Sequence, residues 1–234
     1  MDFVKCSRRL RPAIVSLVLA SGSLGAGALR SQADPGPIDP GSAEAAGASE
    51  TLERFFSEVD DLTTRFEERA YDDDGELIES MTSTGSFSFL RPDRFRLRYE
   101  TPYEEIFVAD GEWIWQYDVD FEEANRRPSS ELEATPAMLL SGEGEIGESF
   151  RVSELPSADG VNSVELRPVN EEGADFASAT VHFRGGVPFG LEWVDALGRR
   201  HEMELIDAEV NSGLLPGDFE FVPPAGVNVA GADD

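Results

Sequence analysis

Hydrophobic and polar residues follow a helical period in one short part of the chain. From Ser49 to about Asp60, large apolar side chains recur every three or four positions and would share one face of a helix. Ser49 is suited to cap that helix, and the acidic Glu50 and Glu53 suit its positive end. The sequence therefore predicts an amphipathic helix with an apolar face made of Leu52, Phe55, Phe56, Val59 and Leu62.

Beyond this helix the period changes to two, which is the period of β-strands. In the clearest example, arginines alternate with Phe95, Leu97 and Tyr99. Turn signals such as Asp74-Gly75 separate runs of this kind. We expect about ten strands in hairpin order, the last containing Phe219 and Phe221, and a helical insert over 132–140. Because strands and helices do not alternate, the sheet should be antiparallel.

The first 33 residues differ in composition from the rest. A basic start precedes a short apolar run at 13–20, and small residues follow. This order predicts a secretory signal peptide cleaved after Ala28 or Ala33, and the apolar run is too short for a membrane span. An uncleaved N-terminal anchor is the less favoured alternative. The single cysteine, Cys6, precedes the apolar run instead of marking a lipoprotein cleavage point, so we expect an exported, soluble chain without a lipid anchor or disulfide.

The rest of the chain divides by composition into three parts. Residues 34–48 are rich in Pro, Gly and Ala and are predicted to be a flexible leader. Residues 49–229 carry the helical and strand patterns and are predicted to form one domain. Residues 230–234 are predicted to be a short acidic tail.

Charge excludes some classes of partner. The sequence has 47 acidic and 19 basic residues and a net charge of −28. Removal of residues 1–33 would take away five basic residues and one acid, which would change the charge to −32. A chain this acidic is repelled by nucleic acid phosphates and by anionic lipid surfaces, so we expect neither as a partner. A salty environment of origin is a hypothesis that a salt series can test.

Side chains that carry catalysis or bind metals are sparse. His182 and His201 each lie within a strand pattern without a second histidine nearby, which favours ordinary strand histidines. The segment DDDGE at 72–76 lacks a preceding acid that a calcium loop requires, since residue 70 is Ala70. The G-x-G-x-x-G spacing at 142–147 follows no strand, and its glutamates would repel a pyrophosphate. The sequence therefore predicts no metal, no cofactor and no catalytic residue.

The surplus of aromatic residues has two interpretations, a filled core or a groove covered by the two apolar helices. Five segments bear on the choice: FLRPDRFRL at 89–97, YEEIFV at 103–108, WIWQY at 113–117, TPAMLL at 135–140 and DFEFVPP at 218–224. On these segments the chain resembles the LolA family of periplasmic lipoprotein carriers. The resemblance runs from about Ser49 to Val229.

The resemblance implies a mainly β fold, an unclosed antiparallel β-barrel with a helical lid over a hydrophobic cavity. It implies a monomer that accepts acylated lipoproteins from an inner-membrane ABC transporter of the LolCDE type. It also implies delivery to an outer-membrane acceptor of the LolB type. The chain departs from the family in its strong acidity and its short C-terminal tail.

The resemblance also assigns residues to roles. Arg91 matches the family's lid-contacting arginine, and its five donors could hold lid carbonyls in the closed state. We expect the lid to offer Leu52, Phe55, Phe56, Met138, Leu139 and Leu140. We expect acyl chains to contact Phe87, Phe89, Phe95, Leu97, Tyr99, Ile106, Val108, Trp113, Trp115, Leu191 and Trp193. A shift of one residue would exchange the two faces of any of these strands.

Three alternatives remain at this level. A LolB-like acceptor should carry a lipid-anchoring cysteine, and Cys6 is misplaced for one. A periplasmic domain that senses lipoproteins and regulates a partner would need a further domain. A hydrolase with paired carboxylates is less favoured, because so acidic a chain always contains suggestive pairs.

Overall fold

The structure is a computed structural model that describes residues 47–129, 139–142, 146–170 and 176–231. Two helices are present in these ranges, α1 (Ala48–Glu58) and the short α2 (Ile146–Ser149). The strands are β1 (Asp61–Tyr71), β2 (Ser83–Leu90), β3 (Arg94–Thr101), β4 (Glu105–Asp110), β5 (Trp113–Asp118), β6 (Glu123–Pro128), β7 (Phe150–Glu154), β8 (Val161–Pro168), β9 (Phe176–Arg184), β10 (Val187–Asp195), β11 (Arg200–Val210) and β12 (Asn228–Gly231). Short 3-10 turns lie at Glu79–Met81 and Pro216–Phe219.

All twelve strands belong to one sheet. Their order is β12-β6-β5-β4-β3-β2-β1-β11-β10-β9-β8-β7, so almost every strand pairs with its neighbours in the sequence. The exceptions are the β1–β11 pair, which joins the two halves, and β12, which runs parallel to β6. Among the described residues the two end strands, β7 and β12, do not pair with each other. The predicted unclosed antiparallel sheet with helices is therefore confirmed, and the parallel edge strand is an addition.

Helix α1 begins earlier than predicted. Gly47 is its N-cap, and Ala48, assigned above to the leader, is already buried in the helix. Ser49 does not cap the helix; its backbone N–H donates to the Glu154 carboxylate of β7 at 2.9 Å. An acceptor from a distant strand thus satisfies one of the free N–H groups at the helix start and ties α1 to the sheet edge.

One face of the sheet, here called the inner face, packs against α1. Leu52, Phe55 and Phe56 of the helix join the same buried cluster as Phe87 and Phe183 of the sheet. The helix contacts β8 and β7, where Asn162 Nδ2 donates to Thr51 Oγ1 at 2.9 Å. Leu52, Phe55 and Phe56 of the predicted apolar stripe therefore form the packed face of the helix. The stripe was predicted too long, because Val59 is the C-cap and Leu62 already belongs to β1.

The last predicted strand is wrong. Phe219 ends the 3-10 turn at Pro216–Phe219, and Phe221 lies outside any strand. This segment instead crosses the outer face of the sheet, where Arg96 donates to the backbone oxygens of Asp218 and Glu220 at 3.2 and 2.9 Å. Strands not predicted are β6 and β12, and Ala230 and Gly231 of the predicted tail belong to β12.

Candidate functional site

The site begins with the contact between α1 and the inner face. The ring of Phe55 lies 5.6 Å from that of Phe183 and 6.2 Å from that of Phe89, in tilted and edge-to-face arrangements. Phe55 and Leu52 are almost fully buried. Such contacts are favourable through both apolar burial and ring geometry, so in this arrangement the helix closes the apolar interior.

Arg91 lies directly after β2 and joins two separate parts of this cover. Its Nε donates to the carbonyl oxygen of Val59 at 2.8 Å, at the end of α1. Its Nη1 donates to the carbonyl oxygen of Gly142, beside the buried Leu139 and Leu140. One guanidinium thus bridges helix α1 and the segment 139–142.

The same guanidinium is surrounded by phenyl rings. Its central carbon lies 4.5 Å from the ring centre of Phe56, 4.8 Å from that of Phe89 and 5.2 Å from that of Phe55. Contacts at these distances are attractive through the ring quadrupole, by about 0.5–2 kcal/mol each. Arg91 therefore binds both the backbone and the aromatic side chains of the cover.

Burial makes this charge less favourable than an exposed one. Burial lowers the pKa of Arg91 to about 10, against the opposing effect of the nearby Asp60 carboxylate. The side chain still carries its charge at neutral pH. Within the described residues its buried Nη2 has no hydrogen-bond acceptor, and an unmet buried donor costs about 1–3 kcal/mol. In the closed arrangement, Nε and Nη1 of Arg91 therefore make hydrogen bonds, whereas Nη2 makes none within the described residues.

The predicted lid residues are found together as far as the structure describes them. Leu52, Phe55 and Phe56 share the inner cluster with Leu139 and Leu140. Met138 lies outside the described residues. The structure thus places two lid segments, α1 and 139–142, against one apolar interior.

Seven of the eleven residues expected to contact acyl chains lie on the inner face. Five of them are at most 1% exposed: Phe87, Phe89, Phe95, Leu97 and Leu191. Tyr99 and Trp193 are partly buried at the margin of the same cluster. These seven residues come from β2, β3 and β10, and they form the floor that α1 covers.

The other four lie on the outer face, so their predicted placement is wrong: Ile106, Val108, Trp113 and Trp115. The register shows why, because Leu97 of the inner face pairs with Phe107 and Ala109 pairs with Ile114. Paired residues share a face, so Phe107 and Ile114 point inward instead. The outer aromatics are covered by Phe221, whose ring lies 5.5 Å from that of Trp115.

Sequence reasoning also missed inner residues on β1, β8 and β9, among them Phe66, Val164, Val181 and Phe183. The alternation of apolar and polar residues through Val164 and Val181 is the signal that could have assigned them. Without the pairing of β1 with β11, nothing in the sequence shows that these strands face the same interior as Phe89.

A cavity of about 250 Å³ opens at the side of the lid. Its lining combines α1, α2 and β7: Ser49, Leu52, Glu53, Phe56, Ile146, Gly147 and Val152. Pockets that hold drug-sized ligands measure about 300–1,000 Å³. This cavity is somewhat smaller than such pockets, and Leu52 and Phe56 of α1 line it.

A match to a family model decides the identity of this fold. The family is described as outer membrane lipoprotein carrier protein LolA, and its model matches residues 57–222, more than half of the chain. The chain belongs to the LolA family. The match begins inside α1 and ends just after Phe221, so it includes Arg91, the inner face and the outer segment.

Sequence relatives agree with this assignment to the LolA family. An outer-membrane lipoprotein carrier protein of Methylibium petroleiphilum is 37% identical, over 79% of this chain and 89% of the relative. One of Leptothrix cholodnii is 38% identical, over 81% of this chain and 87% of the relative. A solved LolA superfamily protein of Nitrosomonas europaea aligns with a TM-score of 0.44 at 10% identity, over 74% of this chain and 96% of that one.

At the end of the sheet away from Arg91, this LolA-family chain buries a polar cluster. His201 is 7% exposed and stacks on Trp193 at 4.9 Å between ring centres. Its Nδ1 lies 3.1 Å from Glu68 Oε1 and its Nε2 lies 3.3 Å from Asp195 Oδ2. Burial opposes the imidazolium, but hydrogen bonds to the two carboxylates outweigh it and raise the pKa of His201.

The second histidine has partners of its own on the outer face. His182 Nδ1 lies 2.8 Å from Ser163 Oγ, and its Nε2 lies 3.2 Å from Glu192 Oε1. Both histidines are therefore hydrogen-bonded strand residues, as the sequence indicated. In the part of the chain that the structure describes, no group of three or more His, Cys, Asp or Glu could hold a metal ion. No helix within those ranges is long and apolar enough to cross a membrane.

Proposed function

We propose that this chain is a periplasmic carrier that covers the acyl chains of lipoproteins between the inner face and the lid. The observation that carries the proposal is the combination of LolA family membership with an apolar interior closed by α1 and bridged by Arg91. The activity is an exchange of binding partners, without a chemical step assigned to any residue.

The physical need for such a cover is large. Each CH₂ of an acyl chain left in water costs about 0.8 kcal/mol, so several chains cannot cross an aqueous compartment unshielded. In the closed arrangement, the ring of Phe55 packs against the rings of Phe56 and Phe89. When cargo enters, apolar contacts to these rings are replaced by apolar contacts to acyl chains. The net free energy of loading is then small, which suits a carrier that must also release.

Arg91 adds hydrogen bonds to the same equilibrium between the empty and the loaded carrier. Its bonds to Val59 and Gly142 exist only while both lid segments lie on the sheet. Opening the lid breaks these bonds, and closing it after release restores them. Arg91 therefore favours the empty, closed state and assists delivery of cargo.

The location and partners follow from the same proposal. Residues 1–33, which lie outside the described residues, would direct export and be removed. The carrier would receive acylated lipoproteins from an inner-membrane transporter of the LolCDE type. It would pass them to an outer-membrane acceptor of the LolB type.

Mass spectrometry of bound lipid tests the proposal. The chain lacking residues 1–33 is incubated with a detergent-solubilised acylated lipoprotein, the detergent is removed, and the soluble complex is weighed under native conditions. We expect one lipoprotein per carrier. The matched control is the same lipoprotein with its acyl-bearing cysteine replaced by serine, which should not be retained. Equal retention of both forms, or retention of neither, would contradict the proposal.

A further inference from the structure

Four hairpin connections lie together at the end of the sheet opposite Arg91. Arg91 follows β2, and the ends of antiparallel strands alternate, so β1–β2, β3–β4, β5–β6 and β10–β11 all turn at the opposite end. Each turn carries one exposed large apolar residue. Their exposed fractions are 44% for Leu77, 73% for Tyr103, 77% for Phe121 and 74% for Leu197.

Contacts join these turns in two pairs, and a cavity lined by both Met81 and Tyr103 links the two pairs. The backbone N–H of Val119 donates to Glu104 O at 3.1 Å, which joins the β5–β6 and β3–β4 turns. Arg199 Nη1 lies 3.4 Å from Met81 Sδ, which joins the β10–β11 and β1–β2 turns. We call residues 72–82, 101–104, 118–122 and 195–199 the hairpin rim.

The hairpin rim is strongly acidic as well as apolar. These four ranges contain ten acidic residues and one basic residue, Arg199. Arg199 is already paired with Asp195 at 2.7 Å. Exposed apolar side chains surrounded by one sign of charge are typical of a binding surface whose partner carries the opposite charge.

A cavity of about 280 Å³ opens within the hairpin rim. Its lining includes the apolar or aromatic residues Met81, Tyr99, Pro102 and Tyr103 and the acidic residues Glu68 and Glu105. A lining that combines apolar and acidic residues matches a lysine or arginine side chain, which has an apolar stem and a cationic head.

We propose that the hairpin rim is the docking surface for a protein partner that presents apolar residues among lysines and arginines, one of which enters this cavity. The inference rests on the proposed carrier function, because such a partner would be the protein that gives or receives the cargo. A second copy of this chain would bring two acidic rims together, and an anionic lipid surface would repel the rim.

The test compares two double variants of the chain lacking residues 1–33. Tyr103→Ser with Phe121→Ser removes two apolar side chains of the rim. Leu215→Ser with Val222→Ser removes two exposed apolar side chains outside it, which are 66% and 82% exposed. Since all four residues are exposed, both variants should fold, and thermal unfolding verifies this. For each variant, we measure the Kd for the purified acceptor and the Kd for the detergent-solubilised transporter, both from the same organism. Binding of each variant to phosphatidylcholine vesicles is measured as well.

Exposed aromatic anchors at a docking surface are often worth tenfold or more in affinity. We expect the rim variant to bind at least one of the two proteins about tenfold more weakly than wild type does, and high salt to weaken this binding further. The control variant should bind as wild type does. Wild-type affinity of the rim variant for both proteins would overturn the inference, as would a loss confined to the vesicles. If the chain still retains an acylated lipoprotein in that case, the docking inference has failed but the proposed carrier function has not.

Discussion

Arg91 combines three roles that rarely coincide in one side chain. It donates to two backbone carbonyls of the lid, it lies among three phenyl rings, and it keeps its charge in a mostly buried position. A leucine at this position would fit the rings but could not bond the carbonyls. The polar part of lid closure therefore depends on this residue.

Arg91→Leu should slow the delivery of cargo. Without the bonds to Val59 and Gly142 the empty closed state loses about 1–3 kcal/mol, so the equilibrium shifts towards the loaded state. We expect transfer of a lipoprotein to the acceptor to slow by about tenfold, measured as the loss of carrier-bound cargo with time. Arg151→Leu, an exposed arginine of β7, is the control and should transfer normally. Normal transfer by Arg91→Leu would contradict the proposal that Arg91 holds the empty lid closed.

His201→Gln should lower stability in a pH-dependent way. The folded chain raises the pKa of His201 above its ordinary 6.5, so the protonated form stabilises the fold. That contribution is complete below about pH 6.5 and fades as the pH rises through the higher folded pKa. We expect a loss of about 1–3 kcal/mol at pH 6 that shrinks towards pH 9, measured by urea unfolding. His182→Gln, on the outer face, is the control, and a loss independent of pH would contradict this account.

At the scale of elements, the proposed loading requires α1 to leave the inner face so that cargo can enter. Asn162 of β8 donates a hydrogen bond to Thr51 of the helix, beside the apolar packing of α1 on the sheet. By contrast, Thr84 and Thr101 face each other across β2 and β3 at 2.7 Å between hydroxyl oxygens, inside the sheet ladder. Loading should separate Thr51 from Asn162, whereas Thr84 and Thr101 should stay together.

A short bis-maleimide linker between Thr51→Cys and Asn162→Cys should block loading. The chain lacking residues 1–33 carries no other thiol, because Cys6 is the only cysteine of the sequence. We expect the linked protein to retain no acylated lipoprotein and the unlinked variant to retain it normally. The same linker between Thr84→Cys and Thr101→Cys should leave loading unchanged. Loading by the first linked protein would show that α1 need not move.

The sequence was sufficient for the elements with clear periods. Helix α1, the arginine-apolar alternation of β3 and the antiparallel hairpin order were all predicted, because each depends on local spacing and turn residues. The faces of β4 and β5 were not, because both faces of these strands carry large apolar residues. Trp115 and Tyr117 are covered by Phe221, about a hundred residues away, and periodicity does not record such a contact.

The remaining errors also come from contacts distant in sequence. The edge strand β12 is short and fully exposed, so it has no apolar pattern to detect. The His201 cluster draws Glu68 and Asp195 from strands far apart in the chain. For Arg91, by contrast, the family resemblance predicted a contact with lid carbonyls, and the structure adds that the carbonyls of Val59 and Gly142 accept its hydrogen bonds.

For the molecule as a whole, charge is the most unusual property. A net charge of −28 means that compaction brings like charges together, which opposes folding. Several arginines of the outer face are already engaged locally, such as Arg65 with Glu100 at 2.8 Å.

Stability should therefore rise with salt. The Debye length, beyond which exposed charges are largely screened, is about 10 Å at 0.1 M salt and about 3 Å at 1 M, so added NaCl weakens the repulsion between surface carboxylates. We expect the midpoint of thermal unfolding to increase steadily from 0.05 to 1 M NaCl. A midpoint that stays constant or falls over this range would argue against the electrostatic interpretation.

The proposed carrier function requires this protein to remove acylated lipoproteins from a membrane into solution. The most direct measurement adds the chain lacking residues 1–33 to energised inner-membrane vesicles that contain the transporter and a labelled lipoprotein. We expect label to appear in the soluble fraction as a complex with the carrier, in proportion to the carrier added. Label that stays with the membrane at every carrier concentration would contradict the account.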